Sequence, residues 1–161
     1  MNKSVKDSGF NSFSFKNSSG LSIASPNSNL EKIEGATASS TLHKQTPSAI
    51  GNAREIAILF NSIFTNIPFL GEASILPEAT FLNWSGNTHD TKNVNESLSQ
   101  IPHIIAGKTG TTEESGGNLM IIVEIEHKKY AIVILGSTIE DRYLDAHKIA
   151  SSTEAFALLN K

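Results

Sequence analysis

The chain has 161 residues, 39% of them apolar, a net charge of −3 and no cysteine. That describes one domain, or part of one, with enough apolar side chains for a core. The mild negative charge speaks against nucleic acid as a partner, and the missing cysteine excludes disulfides, thiolate catalysis and zinc-thiolate sites.

"MNKSVKDSGF" lacks the apolar h-region of a signal peptide. The longest apolar runs, 119–123 and 130–135, are far too short to span a bilayer. The sequence alone therefore leaves the compartment unknown. The first 29 residues hold nine Ser and five Asn, a composition of loops and turns. Within them residues 2–8, closed by Gly9, form a short helix end, and 31–51 read as irregular chain. A better helix starts at Asn52, where Asn52 and Glu55 have capping-box spacing. Its apolar face is Ile56, Leu59, Phe60, Ile63, Phe64 and Ile67, and Pro68 is expected to stop it.

"ATFLNWSGNTHDTKNVN" predicts a hairpin turning at Ser85-Gly86-Asn87. "NLMIIVEIE" and "KYAIVIL" predict two strands joined by a tight polar turn near His127-Lys128. Both are apolar on both faces, so that part of the sheet is expected to be covered on both sides. "STIEDRYLDAHKIASSTEAFALL" predicts the last helix, with Tyr143, Ala146, Ile149, Ala150, Thr153, Phe156 and Ala157 as its apolar stripe. The class is α+β, with a mainly antiparallel sheet flanked by helices.

Most of the familiar chemistries fail on spacing. A P-loop needs G-x-x-x-x-G-K-[ST] opening a helix; here Pro102 stands at the first glycine, and Lys108 leads into a loop and a strand. His43, His89, His103, His127 and His147 show no metal-ligand spacing, so neither a metal nor a cofactor is expected. His89-Asp90 are adjacent on a strand and point to opposite faces, and no G-x-S-x-G elbow exists. Glu113-Glu114 reads as a solvated charge run.

Lys108-Thr109-Gly110 remains. It follows an apolar approach (Ile104, Ile105) and precedes Thr111-Thr112, an acidic Gly-rich turn and the buried hairpin. A cationic lysine beside a hydroxyl, on a strand whose glycine lets another backbone come close, suits a peptide's terminal carboxylate.

On these residues the chain resembles the low-molecular-weight penicillin-binding proteins, the serine D-alanyl-D-alanine carboxypeptidases of the beta-lactamase/transpeptidase-like superfamily. Asn17-Ser18-Ser19-Gly20-Leu21 is similar to the family's Asn-x-x-Gly-Leu stretch, and "NAREIAILF" to its Ala-Arg-Asp-Leu-Ala helix. "NVN" ahead of "IIAGKTGTTEESGGNL" resembles the Asn-Thr-Asn … Lys-Thr-Gly-Tyr-Thr run. "YAIVILGSTIEDRYLDAHKI" resembles the closing strand, glycine and Arg-Phe helix. The matches follow family order over nearly the whole chain.

The family also uses a nucleophilic Ser-x-x-Lys and a Ser-x-Asn motif. No serine here is followed three residues later by lysine. Ser25-Pro26-Asn27 and Ser85-Gly86-Asn87 spell Ser-x-Asn, but the family places that motif upstream of Asn-x-x-Gly-Leu. The resemblance therefore implies that residues 1–161 are the C-terminal part of the domain, starting at an internal methionine.

What it carries over is a small set of residues. Lys108 would supply the positive field and Thr109 would bind substrate carboxylate. Gly110 would let the substrate backbone run beside the strand. The Thr111 N–H would be half of an oxyanion hole. Arg142, at the start of the last helix, would also reach the carboxylate. Gly107 departs from the apolar residue that carboxypeptidases usually have; "GKTGTT" is closer to the transpeptidases, so hydrolysis and transpeptidation both stay open. The implied partners are peptidoglycan peptides ending in D-Ala-D-Ala and, for the complete domain, beta-lactams. The implied location is the outer face of the cytoplasmic membrane or the periplasm. The other reading is a non-catalytic fragment or pseudoenzyme that at most binds wall peptide.

Overall fold

The computed structural model describes residues 1–18 and 49–159, which form two units. The first comprises Met1–Asn52 with Thr112–Glu114, and the second Ala53–Thr111 with Ser115–Lys161.

In the first unit, helix α1 (Asn2–Asp7) ends where expected. Gly9 sits at φ 87°, Gly9 N–H donates to Lys6 O and Phe10 N–H donates to Val5 O, the paired bonds of a Schellman cap. Strand β1 (Ser14–Phe15) pairs antiparallel with β2 (Ala49–Ile50), so the stretch expected to be irregular ends in a short strand. Residues 31–48, Ser25-Pro26-Asn27 and most of the Asn-x-x-Gly-Leu stretch lie outside the described residues.

The second unit begins with α2 (Ala53–Asn66), one residue after the predicted cap at Asn52. Pro68 ends this helix and also opens another, α3 (Pro68–Ser74), at an angle of 107° to the first. A proline at the first helical turn loses no hydrogen bond, which is why it can start what it also stops. Strands β3 (Glu78–Leu82) and β4 (Thr88–Lys92) form the predicted hairpin, with Gly86 at φ 77° in its tip. A single turn of helix, α4 (Ser97–Gln100), follows.

The sheet that matters has the order β5 (Ile104–Thr112), β6 (Gly116–Ile125), β7 (Lys128–Ser137). A connection of only three residues makes β5 and β6 antiparallel neighbours. β6 and β7 pair antiparallel through a two-residue turn at Glu126-His127, both in the left-handed region (φ 50° and 59°), as this tight hairpin type demands. Helix α5 (Asp141–Leu159) closes the chain.

Alternate residues of β6 feed two clusters. Leu119, Ile121, Val123 and Ile125 pack with Tyr143, Ala146 and Ala150 of α5. Met120 and Ile122 pack with Ile56, Phe60 and Phe64 of α2. The sheet is thus covered on both faces, as its doubly apolar strands predict. The stripe on α5 needs amendment: Ile149 and Phe156 are exposed, and Arg142 is buried beside Tyr143. The architecture is the expected α+β arrangement around an antiparallel sheet.

Candidate active site

Lys108, Thr109, Gly110 and Thr111 lie together on the second half of β5. Its first half is packed: Ile104 joins the α5 cluster, while Ile105 and Ala106 both join the α2 cluster. Two consecutive residues on one side break the alternation, the mark of a bulge. From Lys108 onward the strand leaves the core; Lys108, Gly110 and Thr111 are exposed and Thr109 is half-buried.

Strand parity fixes where the backbone points. Gly107 N–H donates to Ser74 Oγ (3.0 Å), a partner from α3 and not from β6, so Gly107 faces the outer edge of β5. Every second residue of a strand shares a side, which puts the N–H and C=O of Thr109 and Thr111 on that same edge. Among the described residues no strand covers it. The Lys108 side chain curls over to it as well, its Nζ donating to Thr109 O (2.5 Å). Neither Lys108 nor Arg142 has an ion-pair partner among the described residues.

Behind the edge sits a brace. Arg142 is only 5% exposed, and its Nη1 donates to Thr111 Oγ1 (2.8 Å), Gly110 O (3.3 Å) and Asn118 O (3.3 Å). Its Nη2 donates to Tyr143 Oη (2.7 Å), and that hydroxyl donates to Val94 O (3.0 Å). The guanidinium also stacks 4.6 Å over the Tyr143 ring. Arg142 is therefore turned toward the strand that bears the site, with its Nε buried and without a hydrogen-bond partner among the described residues. Asn118 adds a second clamp: Nδ2 donates to Ser115 Oγ (2.9 Å) and Oδ1 accepts from Gly136 N–H (3.0 Å).

The stretch "NVN" meets the brace through Val94 O and reaches α3 through Asn93. Asn93 Nδ2 donates to Ser74 O and Leu76 O (both 2.9 Å), and its Oδ1 accepts from Asn95 N–H (3.0 Å). Asn95 is buried; its Oδ1 accepts from Ser97 N–H (3.2 Å) and Ser97 Oγ (2.5 Å). Its Nδ2 lies 2.7 Å from where a Cβ on Gly107 would stand. That accounts for Gly107: the place an apolar side chain would take is filled by the Asn95 amide.

The sequence brought Lys108, Thr109, Gly110, Thr111 and Arg142 to notice, and the structure gathers all five around one strand end. It also brings in Ser74, Asn95, Asn118 and Tyr143. Asn95 belongs to the "NVN" stretch, Tyr143 to the apolar stripe of the last helix, and Ser74 carries no local signal. His89 and Asp90 stand apart on the exposed hairpin, where His89 stacks on Phe81 and Asp90 Oδ1 accepts from Thr80 Oγ1 (2.6 Å). Among the described residues no group of three or more His, Cys, Asp and Glu is placed to hold a metal ion.

No family model matches the sequence, and no curated protein matches it. Solved structures do match in fold. The chain is 19% identical to penicillin-binding protein D2 of Listeria monocytogenes in its cefotaxime-bound form, at a TM-score of 0.68, covering 96% of this chain and 53% of that one. It is 19% identical to a D-alanyl-D-alanine carboxypeptidase of Mycobacterium tuberculosis, at a TM-score of 0.68, covering 98% and 52%. A mutant Streptomyces DD-transpeptidase is 24% identical at a TM-score of 0.60, covering 70% and 44%. The chain thus spans about half the length of the solved chains it matches. Over that half, it has the fold of penicillin-binding proteins and D-alanyl-D-alanine carboxypeptidases.

Proposed function

We propose that this chain provides the Lys-Thr-Gly wall of a serine-type D-alanyl-D-alanine carboxypeptidase site that acts on peptidoglycan stem peptides, and that beta-lactams occupy the same wall. The observation that supports it is the edge of β5 that no strand covers among the described residues, where an ammonium and the backbones of Thr109 and Thr111 face the same way. The nucleophile and its Ser-x-x-Lys and Ser-x-Asn partners come from sequence outside this chain, which makes residues 1–161 one part of a catalytic domain located outside the cytoplasmic membrane or in the periplasm.

In this reading the substrate lies along the edge as an added strand. Thr109 and Lys108 hold its terminal carboxylate through charge-assisted hydrogen bonds. The serine hydroxyl adds to the carbonyl carbon of the penultimate residue, and the Thr111 N–H supports the oxygen as it gains negative charge. The C–N bond then breaks, D-alanine leaves with the serine's proton, and water hydrolyses the ester. Arg142 serves through the strand, setting the Gly110 carbonyl and the Thr111 side chain.

The absence of Ser-x-x-Lys from the sequence favours a second reading, a non-catalytic chain that binds wall peptide. Fluorescent penicillin separates the two. The chain alone is expected to show no covalent band on a denaturing gel. Joined to an upstream segment with Ser-x-x-Lys and Ser-x-Asn, it is expected to label and to release D-alanine. In that protein Lys108→Ala is expected to slow acylation by about 10- to 1000-fold, and Thr109→Val by less. Labelling that ignores Lys108→Ala would return the triplet to an ordinary turn.

A further inference from the structure

We propose that the tip of the β3–β4 hairpin is a saccharide-binding platform centred on Trp84; this rests on the peptide reading above and deepens it, the ligand being the uncharged glycan to which wall peptides are joined. Trp84 is the only tryptophan of the chain, and it stands fully in solvent. An indole left there forgoes the burial that a large aromatic side chain ordinarily gains.

The turn that carries it is held, not loose. Asn83 Oδ1 accepts from Ser85 N–H and Asn87 N–H (both 2.9 Å). Asn83 N–H donates to Asn87 O (3.0 Å), and Gly86 N–H donates to Asn83 O (3.0 Å). Asn83 Nδ2 lies 3.0 Å from Nε2 of His89, whose ring stacks on Phe81. One asparagine thus ties the whole tip together. Around the indole, the exposed side chains of Ser85, Asn87 and Thr88 make no hydrogen bond to another described residue.

These neighbours select the ligand. Phe81 and Leu82 are adjacent on β3 and face opposite ways, so the apolar side chains do not join into one patch. A bilayer or a protein partner needs a contiguous apolar face. Residues 79–91 also hold no lysine or arginine to attract an anionic lipid surface. What the tip offers is one open indole among neutral hydroxyls and amides. A hexose ring has an apolar C–H face and a rim of hydroxyls, so its face stacks on the indole while its rim bonds to the amides.

The hairpin is tied to the Lys108 edge at its base. Asn93 N–H donates to Pro77 O (2.8 Å), Asn93 Nδ2 holds Ser74 O and Leu76 O, and Ser74 Oγ accepts from Gly107 N–H. Strand spacing puts the tip about 15 Å from that base, the span of an extended peptide of about five residues. A peptide seated on the edge is therefore long enough for its glycan to meet Trp84.

The lone indole reports on its own site. The full chain is titrated with the tetrasaccharide of β-1,4-linked N-acetylglucosamine, and its emission is expected to move to shorter wavelength along a saturable curve. Asn87→Ala is expected to raise the Kd by about 3- to 10-fold, the equivalent of one hydrogen bond. Trp84→Ala is expected to lose retention on chitin beads by at least about tenfold. The same variant should keep the shifts of the Thr109 and Thr111 amides that a peptide ending in D-Ala-D-Ala produces in the parent. No change of emission with the tetrasaccharide, while that peptide still shifts those amides, overturns the platform and leaves the peptide reading standing. A saccharide response without any peptide shift overturns the peptide reading and leaves the platform. An emission shift with phosphatidylglycerol vesicles, or with protein concentration alone, and none with the saccharide gives the tip to lipid or to a second copy and overturns the proposal.

Discussion

Two antiparallel hairpins are treated oppositely by this fold. Every residue of β3 and β4 is exposed, and the tip carries a fully exposed Trp84. In β6 seven of ten residues are buried, and α5 and α2 cover its two faces. The first hairpin rests on cross-strand pairs such as Phe81 with His89; the second rests on apolar burial. The difference shows where this unit is rigid, and the candidate site hangs from the rigid hairpin through β5.

The sharpest way to break that contrast is to cut a large side chain from each hairpin. Ile121 is wholly buried, so Ile121→Ala is expected to destabilise by about 2–5 kcal/mol, with a correspondingly lower midpoint in urea. Trp84→Ala removes a larger side chain and is expected to change stability by less than about 0.5 kcal/mol. Equal losses would mean that the β3–β4 hairpin packs against something that its exposure does not reveal.

The brace between hairpin and site comes next in size. Arg142→Met keeps much of the bulk but leaves Gly110 O, Thr111 Oγ1, Asn118 O and Tyr143 Oη without this donor. Hydrogen bonds from a charged donor are worth about 1.5–3 kcal/mol, and the desolvation cost of a guanidinium without an ion-pair partner offsets part of that. A net loss of about 1.5–3 kcal/mol is expected, together with faster exchange of the Thr111 amide. Loss of stability without any change at Thr111 would detach the brace from the edge.

The sequence made some of this legible and hid the rest for definite reasons. Strands β6 and β7 could be read because their apolar residues fall on both faces without interruption, and the ends of α1 and α2 because Gly9 and Asn52 have specific backbone preferences. The Lys-Thr-Gly residues were visible as a run within a resemblance. Ser74, however, acts on Gly107 from 33 positions away, and Asn95 does so by filling space. Ser74 leaves no local pattern, and "NVN" marks Asn95 without revealing its contact, because parity and close approach exist only once the unit is folded. Helix α3 itself was hidden because Pro68 reads as a stop, although its geometry serves a first turn equally well.

The Asn95–Gly107 approach gives a smaller effect with a clear sign. An alanine at 107 would place its Cβ 2.7 Å from Asn95 Nδ2, which cannot simply swing away because Oδ1 is held by Ser97. Gly107→Ala is expected to cost about 1–2 kcal/mol as overpacking. Asn95→Ala removes the obstructing amide, so the double variant is expected to be more stable than the sum of the single losses predicts. Strict additivity in the melting data would refute the steric account.

Asp90→Ala, in the exposed hairpin, should have the least effect. It removes the acceptor of Thr80 Oγ1 on a pair of strands with no buried residue. Exposed cross-strand pairs contribute little, so the melting temperature should move by less than about 2 °C. Locally the outcome should differ. Register Thr80↔Asp90 is one of five ladder positions in this hairpin, and amide exchange there should quicken while exchange in β6 and β7 stays unchanged. Such a split means that β3–β4 opens as a unit of its own, below the free energy of global unfolding. If the same variant quickened exchange in β6, the two hairpins would form one cooperative unit, and the exposed one would have to count as part of the support of the Lys108 edge.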